Sequence, residues 1–195
     1  MTAGRTSPAL VGGVAVLERA IAYALGGLAL VTPEALVRAT PCAAWSLRDL
    51  LGHLHDSMAA LQDGAETGDV TFVPAEAGDD VLRLLRDRAV QLLGAWANAD
   101  GSALVWVHGR PVTAPLMATA GAIEVAVHSW DIAAACGHPR PIPDDLADEL
   151  LDLAAVLIRE NDRPGRFGRP VPVPATAPPG ARLLAFLGRR PPLTG

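Results

Sequence analysis

Apolar residues recur along the chain at three- and four-residue intervals in five stretches, separated by Gly, Pro and Asp clusters of the kind that stop helices. The first runs from Pro8 to Val31, with Val14, Leu17, Ile21, Leu25 and Leu28 in one stripe and a pair, Gly26 and Gly27, placed to fray or bend it. The second opens at Trp45-Ser-Leu-Arg-Asp49-Leu and extends to about Asp63. Ser46 can cap its free amides, Asp49 favours its positive end, and Trp45 can staple onto Leu50. The third runs from Asp79 or Asp80 to Trp96 and stops at Asp100-Gly101. Val81, Leu82, Leu85, Leu92, Leu93 and Trp96 form its apolar face, and Arg83, Arg86 and Arg88 lie elsewhere. A fourth helix spans Pro115 to about Cys136, and a fifth runs from Pro143 to Asn161.

Between the third and fourth stretches, Leu104-Val-Trp-Val107 and Pro111-Val-Thr113 flank His108-Gly-Arg110, which predicts a short hairpin. The prolines of Val171-Pro-Val-Pro174 lack amide donors and exclude an interior strand, whereas Ala181 to Gly188 can form a short terminal helix. Four long helices with short connections predict a mainly α protein. The expected architecture is a four-helix bundle (residues 1–162) with an extra helix and the hairpin, followed by a Pro-rich, irregular C-terminal extension (residues 163–195) packed on the bundle.

Length and composition narrow the function classes. The 195 residues fit one domain with a small appendage, and a chain that is 50% apolar and 19% charged can bury a sizeable core. All 16 basic residues are Arg, against 21 acidic ones; the net charge of −5 offers no footprint for nucleic acid. The first stretch is long and apolar, but Glu18 and Arg19 sit in its middle, each costing about 2.5–3.5 kcal/mol at a bilayer centre, so it reads as a buried soluble helix with no membrane role. Two cysteines, Cys42 and Cys136, are too few for a disulfide framework and point to a reducing, cytoplasmic setting.

The chemistry concentrates in Gly121-Ala-Ile-Glu124-Val-Ala-Val-His128-Ser-Trp-Asp131. Positions four and then three apart fall on one helical face, so Glu124, His128 and Asp131 form a polar stripe bordered by small residues, with room for an ion, water or ligand. Glu and His at i and i+4 offer an oxygen and a nitrogen to one point, a pairing used for zinc, nickel or iron. A third ligand must come from another helix. His53 and His55 both lie roughly 90–110° from the apolar centre of the second helix, on opposite flanks, and periodicity does not choose between them. The alternative is a solvated Glu–His pair worth a few tenths of a kcal/mol.

Thr40-Pro-Cys-Ala-Ala-Trp45-Ser-Leu-Arg-Asp-Leu-Leu-Gly-His53-Leu, followed far downstream by Glu124-x3-His128-Ser-Trp-Asp131-Ile-Ala, resembles the actinobacterial metal-binding family related to the N-terminal domain of mycothiol-dependent maleylpyruvate isomerase, one of the DinB-like helical bundles. The tail, Phe167-Gly-x-x-Val171-Pro-Val-Pro174 and Arg182-Leu-Leu-Ala-Phe-Leu-Gly-Arg189, resembles a short-chain branch of it. The resemblance implies His53, Glu124 and His128 as metal ligands and leaves His55 outside the site. It implies no ligand role for Asp131. That residue is the candidate catalytic group, able either to orient His128 or a metal-bound water or to accept a hydrogen bond from a neighbouring helix. Two histidines and a glutamate leave coordination positions open, and a divalent ion there, zinc first and nickel or iron behind it, would activate a thiol. The implied function is a metal-dependent, mycothiol-using transferase or isomerase acting on a small electrophilic metabolite. The alternatives are a metal-binding protein without turnover, in binding or stress response, and a metal-hydroxide hydrolase. Only about 30 residues follow the helical region, too few for a substantial further domain, which counts against maleylpyruvate as the substrate. A homodimer is left open.

Other residues carry blander expectations. Cys42 has no base beside it in sequence and reads, like Cys136, as a small buried side chain. His108 and His138 fall in turns and read as exposed. Trp45, Trp106 and Trp130 read as core, and the arginines of the third helix as a solvated face.

Overall fold

The computed structural model describes residues 8–42, 45–70, 80–99, 103–138, 140–163 and 165–192. Among them are α1 (Pro8–Leu28), α2 (Leu47–Thr67), β1 (Asp69–Val70), α3 (Val81–Ala97), β2 (Leu104–Val107), β3 (Arg110–Thr113), α4 (Ala114–Ala135), α5 (Asp144–Leu157) and α6 (Pro179–Phe186). Two 3-10 turns lie at Pro33–Ala35 and Glu160–Asp162. The predicted mainly α architecture is present: α1 to α4 form the bundle, α5 is the extra helix, and the tail carries α6. Asp79 and the Asp100-Gly101 stop fall outside the described residues. No described helix is long and apolar enough to cross a membrane.

Helix α4 is the centre of the bundle. It packs against α1, α2 and α5, and from Gly121 to Ala133 every residue but Glu124 is buried. Leu17, Ile21 and Leu28 of the α1 stripe are buried, with Leu25 on the rim. Helix α1 ends at Leu28, just after the glycine pair and three residues short of the predicted Val31. A Cβ at Gly27 would lie 3.3 Å from the Ser129 carbonyl oxygen of α4, and one at Gly26 would strike the Arg140 guanidinium, so the missing side chains admit close approach. The same logic draws α2 against α4, where a Cβ at Gly121 would meet Leu61 at 2.6 Å.

The hairpin forms as expected, β2 pairing antiparallel with β3, and the dipeptide strand β1 adds a parallel partner to β2 that hydrophobic patterning is too short to reveal. Trp106 and Leu104 point outward and are about half exposed, so Trp106 is not core, whereas Trp130 and Trp96 are buried. Helix α5 stops at Leu157 because the backbone turns extended at Ile158 (φ −105°, ψ 103°), four residues before the predicted end.

The tail folds back along α5 and α6. Buried Arg163 donates to the carbonyls of Gly168 and Phe186 and lies over the Phe186 ring, and the Val171 amide donates to Ala185. Gly188 has a φ of +84°, and its α-carbon crosses so close to Gly168 that a Cβ would sit 2.5 Å from the Gly168 Cα. That crossing turns the following residue, Arg189, into the bundle.

Candidate metal and thiol site

Two segments before and within α2 bring their residues to α4. An isolated bridge between Ala39 and Ser46 pinches the loop ahead of α2, with the Thr40 amide donating to the Trp45 carbonyl and the Cys42 amide to Thr40 Oγ1. Ser46 then starts the helix as expected, in a capping box: Ser46 Oγ accepts from the Asp49 amide, and Asp49 Oδ2 accepts from the Ser46 amide at 2.9 Å. The predicted arginine face of α3 is solvated in the main, Arg83 pairing with Asp80 and Asp87.

Nearly two turns into α2, His53 Nε2 lies 2.7 Å from Glu124 Oε1, and His128 Nε2 lies 3.1 Å from the same oxygen. Ser57 Oγ donates to it at 3.2 Å. The donor atoms of His53, Glu124 and His128 all fall within 4.8 Å of one another. Nitrogen and oxygen ligands around a tetrahedral ion with bonds of about 2.0–2.1 Å stand roughly 3.3 Å apart, so this set fits a divalent metal. His55, on the other flank, is buried and lies 3.5 Å from the carboxylate of its neighbour Asp56, outside the cluster.

Burial is the largest influence on Glu124 and would raise its carboxyl, but hydrogen bonds and charge from His128 and His53 outweigh it and hold the group well below the usual carboxylate range. For His128, burial would lower the imidazole, yet hydrogen bonds from Asp131, Cys42 and Glu124 push it well above its ordinary value.

The far side of His128 holds a second constellation. Asp131 has no exposed surface, and its Oδ2 accepts from His128 Nδ1 at 3.1 Å, from Arg189 Nη2 at 2.9 Å and from the Cys42 thiol at 3.3 Å. Arg189 Nε approaches Oδ1 at 3.4 Å, and Nη2 approaches Cys42 Sγ at 3.4 Å. Cys42 Sγ is also 3.7 Å from His128 Nδ1. Cys42 is half-buried rather than buried, and tertiary packing supplies a histidine and a carboxylate that the local sequence does not. The atoms of Cys42, His128 and Asp131 are also close enough to hold a metal. A guanidinium already bonded to two of the three weighs against a cation there. Asp131 touches both His128 and Arg189, which follows the end of α6 rather than lying in a helix. No local signal announced Arg189.

Trp45 covers the cluster. Its ring centroid lies 4.6 Å from that of His53 and 6.3 Å from that of His128, and the two imidazoles meet edge to face at 5.0 Å. At 37% exposure it is a surface ring beside the donors rather than core. His108 and His138 are exposed and stand away from the cluster; Cys136 is buried.

The sequence profile of the mycothiol maleylpyruvate isomerase N-terminal domain family matches residues 17–133, more than half of the chain. That span contains His53, Glu124, His128 and Asp131 and ends before Arg189. Two uncharacterized proteins of Mycobacterium tuberculosis, from strains CDC 1551 / Oshkosh and ATCC 25618 / H37Rv, are each 30% identical over 168 residues, covering 83% of this chain and 89% of theirs. The crystal structure of the mycothiol-dependent maleylpyruvate isomerase superposes with a TM-score of 0.58 at 19% identity, over 77% of this chain and 70% of that one. A mutant of that enzyme superposes at 0.55. The likeness to these structures is one of fold.

Proposed function

The chain belongs to the mycothiol maleylpyruvate isomerase N-terminal domain family, and from that premise we propose that it is a metal-dependent enzyme using mycothiol to transfer a thiol to, or isomerise, a small electrophilic metabolite. His53, Glu124 and His128 would hold one divalent ion, zinc first. The observation that carries the reading is the convergence of two imidazole nitrogens on one carboxylate oxygen at 2.7 and 3.1 Å, on helices that glycine-mediated packing holds together. When bound, a divalent ion supplies Lewis-acid charge that lowers the pKa of a coordinated thiol.

The protein's own groups do the rest. Asp131 accepts from Nδ1 of His128, which fixes the ring orientation and leaves Nε2 facing Glu124. Arg189 compensates the buried charge of Asp131. Ser57 holds the Glu124 oxygen from the α2 side, and Trp45 shields His53 from bulk water. Two imidazoles and one carboxylate leave coordination positions for an exchangeable ligand, as a catalytic site requires and a closed structural site does not.

The test is cobalt substitution of protein purified without an affinity tag, followed by titration with mycothiol. A sulfur-to-cobalt charge-transfer band that grows with thiol is the expected result. No spectral or calorimetric response to millimolar mycothiol would refute thiol use and advance the hydrolase and binding-protein readings.

A further inference from the structure

Helix α2 brings a second group to Glu124. Ser57 follows His53 by four residues, so the two side chains stand on the same face of α2, and Glu124 and His128 repeat that spacing on α4. Three atoms then reach one carboxylate oxygen, Glu124 Oε1: His53 Nε2 at 2.7 Å, His128 Nε2 at 3.1 Å and Ser57 Oγ at 3.2 Å. A serine inside a helix can turn its hydroxyl back to the carbonyl four residues earlier, as Ser129 of α4 does with Val125. Ser57 instead directs its hydroxyl across the helix interface to Glu124. With a single torsion between backbone and oxygen, its reach is set by the α2 backbone.

The three contacts differ in what a metal does to them. An imidazole nitrogen that ligates a divalent ion gives its lone pair to the ion and carries no proton there, so His53 Nε2 and His128 Nε2 cannot donate to Oε1 while they hold a metal. A hydroxyl is a neutral donor that the ion does not claim. Of these three contacts, the one from Ser57 is therefore compatible with a loaded centre. A carboxylate can bind a metal through one oxygen or both. A donor fixed on Oε1 opposes the rocking of the carboxylate that would bring Oε2 to the ion as well.

We propose that Ser57 is a positioning residue for the centre, holding Glu124 to coordination through Oε1 alone so that the remaining positions stay open to an exchangeable ligand. The inference rests on the metal reading above and adds to it the group that keeps those positions open.

The experiment loads the full chain with cobalt as wild type, Ser57→Ala and Ser57→Thr. Affinity is read by chelator competition, and coordination by visible absorption per bound cobalt, which is strong for tetrahedral sites and falls as further ligands join. Urea denaturation of the metal-free proteins checks that each variant folds. Ser57→Ala is expected to weaken cobalt binding about tenfold and to lower the absorption per cobalt, and Ser57→Thr, which keeps the hydroxyl, to restore both. Unchanged absorption per cobalt in Ser57→Ala, whatever its affinity or stability, would overturn the proposal, as would Ser57→Thr behaving like Ser57→Ala. Either result leaves the wild-type response to mycothiol, and with it the thiol reading, untouched. If the wild type takes up no cobalt, the metal reading and this inference fall together.

Discussion

Arg189→Ala offers a direct measurement of what the tail contributes to the centre. Asp131 is fully buried, the Arg189 side chain is 10% exposed, and the guanidinium bonds both carboxylate oxygens as well as the Leu187 carbonyl. Removing one partner of a buried ion pair costs about 3–5 kcal/mol when the other is stranded. Asp131 is not wholly stranded, because His128 Nδ1 and the Cys42 thiol still donate to it, each bond to a charged group being worth about 1.5–3 kcal/mol. The expected loss is therefore about 2–4 kcal/mol, read by urea denaturation of metal-free protein followed by circular dichroism.

The pH dependence has a definite sign. Burial would raise the Asp131 carboxyl, but the His128 hydrogen bond and the Arg189 charge outweigh it and depress it. A depressed acid contributes stability above its unfolded value of about 3.9 and loses it as pH falls through the folded value. The gap between wild type and Arg189→Ala should thus narrow below about pH 4. In an Asp131→Asn background the arginine substitution should cost less than about 1 kcal/mol, since no buried charge is left to compensate. A cost under about 1 kcal/mol in the wild-type background, or the same cost in both backgrounds, would refute the coupling.

Three further outcomes follow from the same geometry. The double variant His53→Ala/His128→Ala should lose its metal by elemental analysis whereas His55→Ala keeps it; equal metal content in both would remove the assigned ligands. Because Asp131, Cys42 and Glu124 raise the His128 pKa against the effect of burial, metal must displace a proton from His128, so metal affinity should increase as pH rises from about 6 to 8, with proton release detectable by calorimetry in buffers of different ionisation enthalpy; a flat profile would contradict this. Gly188→Ala, which places a Cβ against the Gly168 backbone at a positive φ, should destabilise the protein by at least about 1 kcal/mol and weaken metal affinity together, whereas Gly94→Ala, in open space on α3, should do neither.

What the sequence reveals and what it hides divide along the range of the interactions. The α2 start was legible because a capping box spans three residues, and the Glu124, His128 and Asp131 stripe was legible because helical geometry places i, i+4 and i+7 together. The rank of His53 over His55 was not readable from periodicity, since both flank the apolar centre of α2; only the approach of α4 separates them. The contacts of Cys42 and Arg189 are hidden for a stronger reason. Their partners are 58 to 147 residues away, and neither sits in a repeating pattern. The end of α5 was overrun because Arg159, Glu160 and Asn161 are compatible with a helix, while the backbone is already extended at Ile158. In α4 the pattern carried little directional information, because neighbours on several sides bury almost every face.

The crossing of Gly188 over Gly168 has a consequence for the order in which the molecule assembles. Helices α1 and α4 themselves meet far apart in sequence, Gly27 against Ser129, and Arg189 then meets Asp131 across 58 residues and Cys42 across 147. Closing such long loops is entropically slow, and it precedes the reward of the contact. Until the tail docks, the Asp131 carboxylate sits in the bundle without its guanidinium. Docking brings the Arg189 guanidinium to the carboxylate that also holds His128 Nδ1. A chain that has gathered its helices but not seated its tail therefore lacks the ordered imidazole on which the centre depends, and metal retention becomes a readout of completed folding.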